Sequence, residues 1–198
     1  VRGTQSSAGQ ALETAQSSTV DAPLALELIT RAAAATNPTA THLLDIGCGA
    51  GNYTLRLLQG LPNLDVTVVD LSAPMLERAV QRIRPTATGR ITAVQADIRE
   101  LVLGEARFDI ILAAAVFHHL RSDAEWEAVF AKCYGGLKPG GSFWISDLID
   151  HETAPVRALM WRRYGDYLAQ LKDATYRDHV FAYIEQEDSP RPLLYQVD

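Results

Sequence analysis

The densest run of chemistry-bearing residues is Asp45-Ile46-Gly47-Cys48-Gly49-Ala50-Gly51-Asn52. Glycine alternates over three positions, with an acid just ahead of the first. Glycine permits positive φ and has no Cβ, so the main chain of such a loop can lie directly against a ligand. A tight strand-to-helix turn also uses glycine, and a lone pair would mean no more than that. The spacing separates ligands. A G-x-G-x-x-G loop grips a pyrophosphate at a helix N-terminus. D-x-G-x-G-x-G instead puts a carboxylate beside the turn, which repels pyrophosphate and suits a cationic ligand or one with ammonium and hydroxyl donors. Asp70 follows 19 residues after Gly51, at the end of the run DVTVVD. An acid there accepts both hydroxyls of a ribose. Its alternative role, helix entry, already falls to Ser72. Asp97, in Ala96-Asp97-Ile98, can accept from an adenine amino group while Ile98 packs on the ring; its alternative is a solvated loop acid.

Two later segments carry further candidates. His118 and His119 stand just past an apolar run. Adjacent residues at a strand end point in different directions, so at most one faces a substrate. The choice is open, with His119 preferred; the alternative is a helix-start or core-edge histidine. No H-x-x-x-H pair or cysteine cluster occurs, so no metal site is expected. In Met160-Trp161-Arg162-Arg163-Tyr164, an arginine could pair with a substrate carboxylate or phosphate while Trp161, Tyr164 and Tyr167 line an apolar wall. The alternative is an amphipathic helix with packed aromatics and solvated arginines.

The elements that position these residues alternate. Leu24, Leu28, Ile29 and Ala32–Ala35 form a helical stripe ended by Asn37-Pro38. His42–Ile46 reads as a buried strand, 53–59 as a helix closed by Gly60, and Asp65–Asp70 as a strand. Ser72 caps a helix whose Leu76, Ala79, Val80 and Ile83 share one face. Strands follow at 90–95, 108–113 and 141–149, with a helix from Trp126 to Gly135-Gly136 before the last. This alternation predicts βαβ units and a parallel, doubly wound α/β sheet with helices on both faces. Residues 153–186 read as helical throughout, Ser189-Pro190-Arg191-Pro192 as a break, and Leu193 onward as one more helix.

Composition bounds the rest. The 198 residues are 47% hydrophobic and 21% charged, with a net charge of −6. One globular domain is expected. The acidic balance points away from nucleic acid, which rewards an excess of Lys and Arg. Two cysteines, Cys48 and Cys133, make no disulfide framework. With no apolar run of membrane-spanning length and no basic-then-apolar leader, the expected location is cytoplasmic and off the membrane.

Taken in order, LLDIGCGAGNYT, VTVVDLSAPML, VQADI, FDIILAAAVFHHL and LKPGGSFWISDLI resemble the successive motifs of class I S-adenosylmethionine-dependent methyltransferases. The resemblance implies S-adenosylmethionine as cofactor and a Rossmann-like sheet. Gly47, Gly49 and Gly51 would lie under the methionine part, with Cys48 and Asn52 in the same loop. Asp45 would sit near the ammonium and Asp70 on the ribose. Leu71 and Met75 would flank the adenine, with Ala96, Asp97 and Ile98 at its edge and face. Ala113 and Ala114 would complete the cofactor side, His118 or His119 the transfer face, and Trp161, Arg162 and Tyr164 the substrate side.

The expected activity is methyl transfer to a small molecule by direct displacement. Formation of carboxy-S-adenosylmethionine, a nicotinamide oxidoreductase and a non-catalytic S-adenosylmethionine-binding module are the alternatives. The expected organisation is a loose tail over 1–20, a cofactor core over 21–150 and a helical cap over 151–198 of the same domain. The family adds an antiparallel hairpin, strands six and seven, after the fifth strand. No such pair is legible here, and the expected explanation is an omitted C-terminus or a truncated form. Five parallel strands in the order 3-2-1-4-5 are expected. Phe143 and Ile145 would then lie on an open edge, unless a helix or a second copy of the chain covers it.

Overall fold

The computed structural model describes residues 19–197. The tail expected over residues 1–20 falls, up to residue 18, outside the described residues. Two compact units emerge: Leu26–Leu148, and residues 19–25 with 149–197.

The Leu26–Leu148 unit is built on one sheet. Its strands are β1 (His42–Ile46), β2 (Asp65–Asp70), β3 (Ile91–Gln95), β4 (Phe108–Ala114) and β5 (Leu137–Ser146). All pair in parallel, in the order β3-β2-β1-β4-β5, as expected. Helix α1 (Ala22–Thr36, begun in the other unit) leads into β1, while α2 (Asn52–Leu58), α3 (Ala73–Ile83) and α4 (Asp123–Gly136) connect β1 to β2, β2 to β3 and β4 to β5. Alternation along each strand divides the core. Leu43, Val66, Val68, Ile110 and Leu112 meet Leu57, Leu76, Ala79 and Ile83 from α2 and α3. Leu44, Ile46, Val69, Ile111 and Ala113 meet Trp126, Val129 and Cys133 from α4. Each fully buried aliphatic side chain contributes about 1.5–3 kcal/mol. Ser72 Oγ accepts from Met75 N at 3.4 Å, the cap read from the sequence. Ser122 and Glu125 form a capping box at the start of α4.

Strand β5 departs from its expected span of 141–149. It starts at Leu137, and its register against β4 jumps from Phe108↔Leu137 to Ile110↔Ser142. Pro139 lacks an amide donor and Gly140 has φ 80°, so the chain bulges there before pairing resumes. The strand ends at Ser146 because the Asp147 side chain takes over the neighbouring amides. Phe143 and Ile145 are half-buried and pack on the core beside α4.

In the other unit, the helix expected across 153–186 is two: α5 (Ala154–Leu171) and α6 (Ala174–Glu187). Asp173 divides them by accepting from Tyr176 N at 2.7 Å, the N-cap geometry that short acidic side chains favour. The helices meet at Gly165, whose missing side chain leaves room for Phe181 and Arg177. A two-residue parallel ladder joins β6 (Ile149–Asp150) to β7 (Arg191–Pro192), which the sequence reading treated as an unpaired break. Helix α7 (Leu193–Val197) follows.

Candidate functional site

Strand register brings the chemistry to one edge of the sheet. Ile46 is paired with Val69 and Ala113, Asp70 with Gln95, and Ala114 with Ser146. The segments opening at residues 47, 71, 96, 115 and 147 therefore leave adjacent strands at the same, C-terminal end. Between β1 and β4 the winding reverses, and a crevice at such a reversal is where open α/β sheets bind ligands.

The loop after β1 is held from several sides. Gly47, Gly49 and Gly51 have φ of 61°, 52° and 76°. A Cβ on Gly47 would collide with Val116 Cγ2, and one on Gly51 would sit 3.0 Å from Ile83 Cδ1. Close approach to the β4 loop and to α3 thus requires glycine at both positions. Cys48 N donates to Val69 O at 2.9 Å. Arg82 Nη1 donates to Ala50 O and to Asn52 Oδ1, each at 2.6 Å. Asn52 is therefore a brace for the loop.

Asp45 shares the Leu43 face of β1, which is the face α2 covers. It is 3% exposed, and its Oδ2 accepts from Thr54 Oγ1 at 2.6 Å. Burial, opposed by the Thr54 hydrogen bonds and aided by Asp70, pushes its carboxyl up to about 7. Burial and these same two acids push the Cys48 thiol well above its ordinary range. Burial also raises Tyr53, whose hydroxyl hydrogen-bonds Ser146. The groups acting on one another here are Asp45, Cys48, Tyr53 and Asp70, all of which become negative or stay neutral.

Asp70 bridges two segments. Oδ2 accepts from Gly49 N and Oδ1 from Ser72 N, both at 2.8 Å. Beside it, Leu71 is 66% exposed, free to offer an apolar face, and Met75 is half-buried. Ala96 N donates to Asp70 O at 3.3 Å. Asp97 is engaged by Arg99, whose Nη2 reaches Oδ2 at 2.6 Å and whose Nε reaches both oxygens at 3.0 Å. Hydrogen bonding by Arg99 lowers the Asp97 carboxyl. The Ile98 side chain lies in the core with Val69 and Leu103. Ala113 is buried there too, and Ala114 is half-buried.

Past β4, Ala115 has φ 57°, a backbone conformation that costs a non-glycine residue about 1–2 kcal/mol. Its amide donates to Ser146 O at 2.8 Å. Phe117–His119 then form a 3₁₀ turn that separates the two histidines. His118 is buried and its Nδ1 bonds Asp147 Oδ1, while His119 is exposed. In the other unit, Trp161 and Tyr164 pack on Phe181 at ring-centroid distances of 5.0 and 5.9 Å, and Arg162 is exposed.

Sequence reasoning missed Tyr53, Thr54, Arg82, Ser146 and Asp147. Asp147 had a signal: like Asp45, Asp70 and Asp97, it is an acid near the C-terminal end of a parallel strand. Thr54 and Arg82 had none, because their partners are fixed only by helix packing.

A family model described as a methyltransferase domain matches residues 43–141. Malonyl-(acyl-carrier protein) O-methyltransferase of Priestia megaterium is 35% identical over 104 residues, 52% of this chain and 35% of that protein. Carboxy-S-adenosyl-L-methionine synthase of Shigella sonnei is 27% identical over 130 residues, 64% of this chain and 51% of that protein. The crystal structure of N-methyltransferase NodS from Bradyrhizobium japonicum WM9 superposes with a TM-score of 0.56 at 25% identity, covering 71% of each chain. The matched segments span 35% to 55% of the curated relatives. The matching span covers half the chain and runs from β1 into β5, through the glycine loop and the reversal, so the chain belongs to the class I S-adenosylmethionine-dependent methyltransferases.

Proposed function

We propose that this chain binds S-adenosylmethionine at the β1–β4 reversal and directs its methyl group onto a small-molecule acceptor by direct displacement. The observation that carries the reading is the loop with acids on both sides. Asp45 and Asp70 flank glycines whose missing side chains let main chain approach a ligand, and Arg82, at the loop's back, is occupied by Ala50 O and Asn52. That donor set fits a ligand with an ammonium and a ribose, and it opposes a pyrophosphate.

When bound, the cofactor supplies a methyl group already activated by its sulfonium. The chain's own work is alignment and exclusion of water. Asp45 faces the ammonium, Asp70 accepts from the ribose hydroxyls, and Leu71 and Met75 flank the adenine. Asp97, neutralised by Arg99, marks the adenine edge.

The test is calorimetry with S-adenosylmethionine against NAD, followed by mass spectrometry of a panel of alcohols and amines incubated with protein and S-adenosylmethionine. Binding of S-adenosylmethionine alone, with one panel member gaining a methyl group, is expected. Preference for NAD would overturn the reading. The likeness to carboxy-S-adenosyl-L-methionine synthase favours a second reading, in which the cofactor itself gains a carboxyl group; the same spectra report that product.

A further inference from the structure

The carboxylate of Asp147, at the sheet's C-terminal edge, is bonded to four different residues, and the alignment role just described leaves it unused. Its side chain is 1% exposed. Oδ2 accepts from Val116 N at 3.2 Å and Phe117 N at 2.7 Å. Oδ1 accepts from Leu148 N at 2.7 Å and is bonded to His118 Nδ1. One side chain on the β5 exit therefore fixes both the backbone of the turn after β4 and the ring that the turn presents. A buried carboxylate surrounded by donors has only lone pairs to offer, so the imidazole must bring the proton on Nδ1. Nε2 is then the ring's accepting nitrogen. The His119 ring lies tilted against that of His118, with centroids 4.1 Å apart. Val116, held by the same carboxylate, packs on Gly47 in the cofactor loop. The ring's orientation is thus tied by packing to the loop that would hold the methyl donor.

We propose that Asp147 is the positioning residue that makes His118, rather than His119, the proton acceptor of the transfer, by keeping the imidazole proton on Nδ1. This rests on the methyl-transfer reading above. As the acceptor's nucleophilic atom forms its bond to the methyl carbon, the carbon–sulfur bond breaks and its electron pair stays on sulfur. The acceptor's proton passes to His118 Nε2. The resulting imidazolium is stabilised by the Asp147 carboxylate and later returns the proton to water.

The test is nitrogen NMR of protein labelled in its five histidines, with His118 and His119 assigned by single substitution. At neutral pH, His118 should show a protonated Nδ1 and an unprotonated Nε2. Asp147→Asn, whose amide can donate where the carboxylate only accepts, should mix or invert that tautomer. His119→Ala should leave it intact. A wild-type His118 resting as the Nε2–H tautomer would overturn the proposal without any variant having to fold, and so would a tautomer unmoved by Asp147→Asn. With an acceptor from the panel, Asp147→Asn should lower kcat at least tenfold and leave the KM for S-adenosylmethionine unchanged. Equal losses in both variants would assign the role to neither histidine. Wild-type protein that fails to bind S-adenosylmethionine in calorimetry defeats the functional reading separately, whatever the tautomer.

Discussion

Asp45 and Asp70 would meet a cationic ligand in different ways. Asp70 is already a double acceptor for Gly49 N and Ser72 N, so its charge also holds the loop's shape. Asp70→Ala removes the ribose acceptor and this brace together. We expect S-adenosylmethionine affinity to fall at least tenfold, or about 1.4 kcal/mol. Unchanged affinity in calorimetry would remove the ribose assignment. Asp45 is buried and pushed up to about 7, so it is largely neutral at pH 6 and largely charged at pH 8. Only the charged form attracts an ammonium, so affinity should rise with pH across that interval, by up to about tenfold through this group. The ligand's own amino group titrates in any case. The measured quantity is therefore the difference from Asp45→Asn, and identical pH profiles for the two proteins would sink the idea. The acids were legible because their chemistry depends on type and position at strand ends. The state of Asp45 was not, since its burial depends on Thr54 arriving from α2. The contrast between His118 and His119 was equally hidden, because it is set by Asp147, which is 29 residues from His118.

At the level of elements, the cofactor loop and the β4 loop are built against each other. Gly47 has φ 61° and Val116 fills the space a Cβ would need. Gly47→Ala should therefore destabilise the fold by about 2–4 kcal/mol, combining left-handed strain with overpacking. Trimming the neighbour separates those two contributions. In the Gly47→Ala background, Val116→Ala should restore about 1 kcal/mol, a coupling that urea midpoints of the four proteins would report. Strict additivity would mean that the loops do not bear on one another. Elements with strong local signals were read correctly from the sequence. These include the parallel strands β1, β2 and β4, and helix α3 with Ser72 as its cap. Misreadings arose where a single side chain redirects the backbone. Asp173 breaks what looked like one helix into α5 and α6. Strand β5 starts four residues before its expected position and bulges at Pro139 and Gly140, and Asp147 ends it three residues early. Trp161 and Tyr164 were readable as a stripe, but not as the packing surface for Phe181, which lies on a later helix.

For the molecule as a whole, the two ends of the sheet titrate in opposite senses. At the N-terminal end, Asp109 Oδ2 accepts from Thr41 N, His42 N, Thr41 Oγ1 and Lys138 Nζ, at 2.8–3.0 Å. That cluster ties the starts of β1, β4 and β5 across as many as 97 residues of sequence, since Lys138 Nζ also donates to Thr41 Oγ1, a range no local pattern reveals. Burial raises the Asp109 carboxyl, but hydrogen bonds from Lys138, Thr41 and His42 outweigh it and leave the group at about 2. A carboxyl held below its unfolded value stabilises the fold above about pH 4, and that stability is lost as pH falls through 2. Asp45 behaves in reverse. Its folded value lies above the unfolded one, so the folded chain holds the extra proton between about pH 4 and 7, and stability falls as pH rises through that window. Urea midpoints taken from pH 2 to pH 8 should therefore peak on the acid side of neutrality. Asp109→Asn should flatten the limb below pH 4, and Asp45→Asn the limb between pH 4 and 7. Saturating S-adenosylmethionine should also raise the upper limb, because pairing Asp45 with an ammonium removes the cost of its buried charge. A profile that slopes the same way in all three proteins would show that neither carboxylate sets the pH response of the fold.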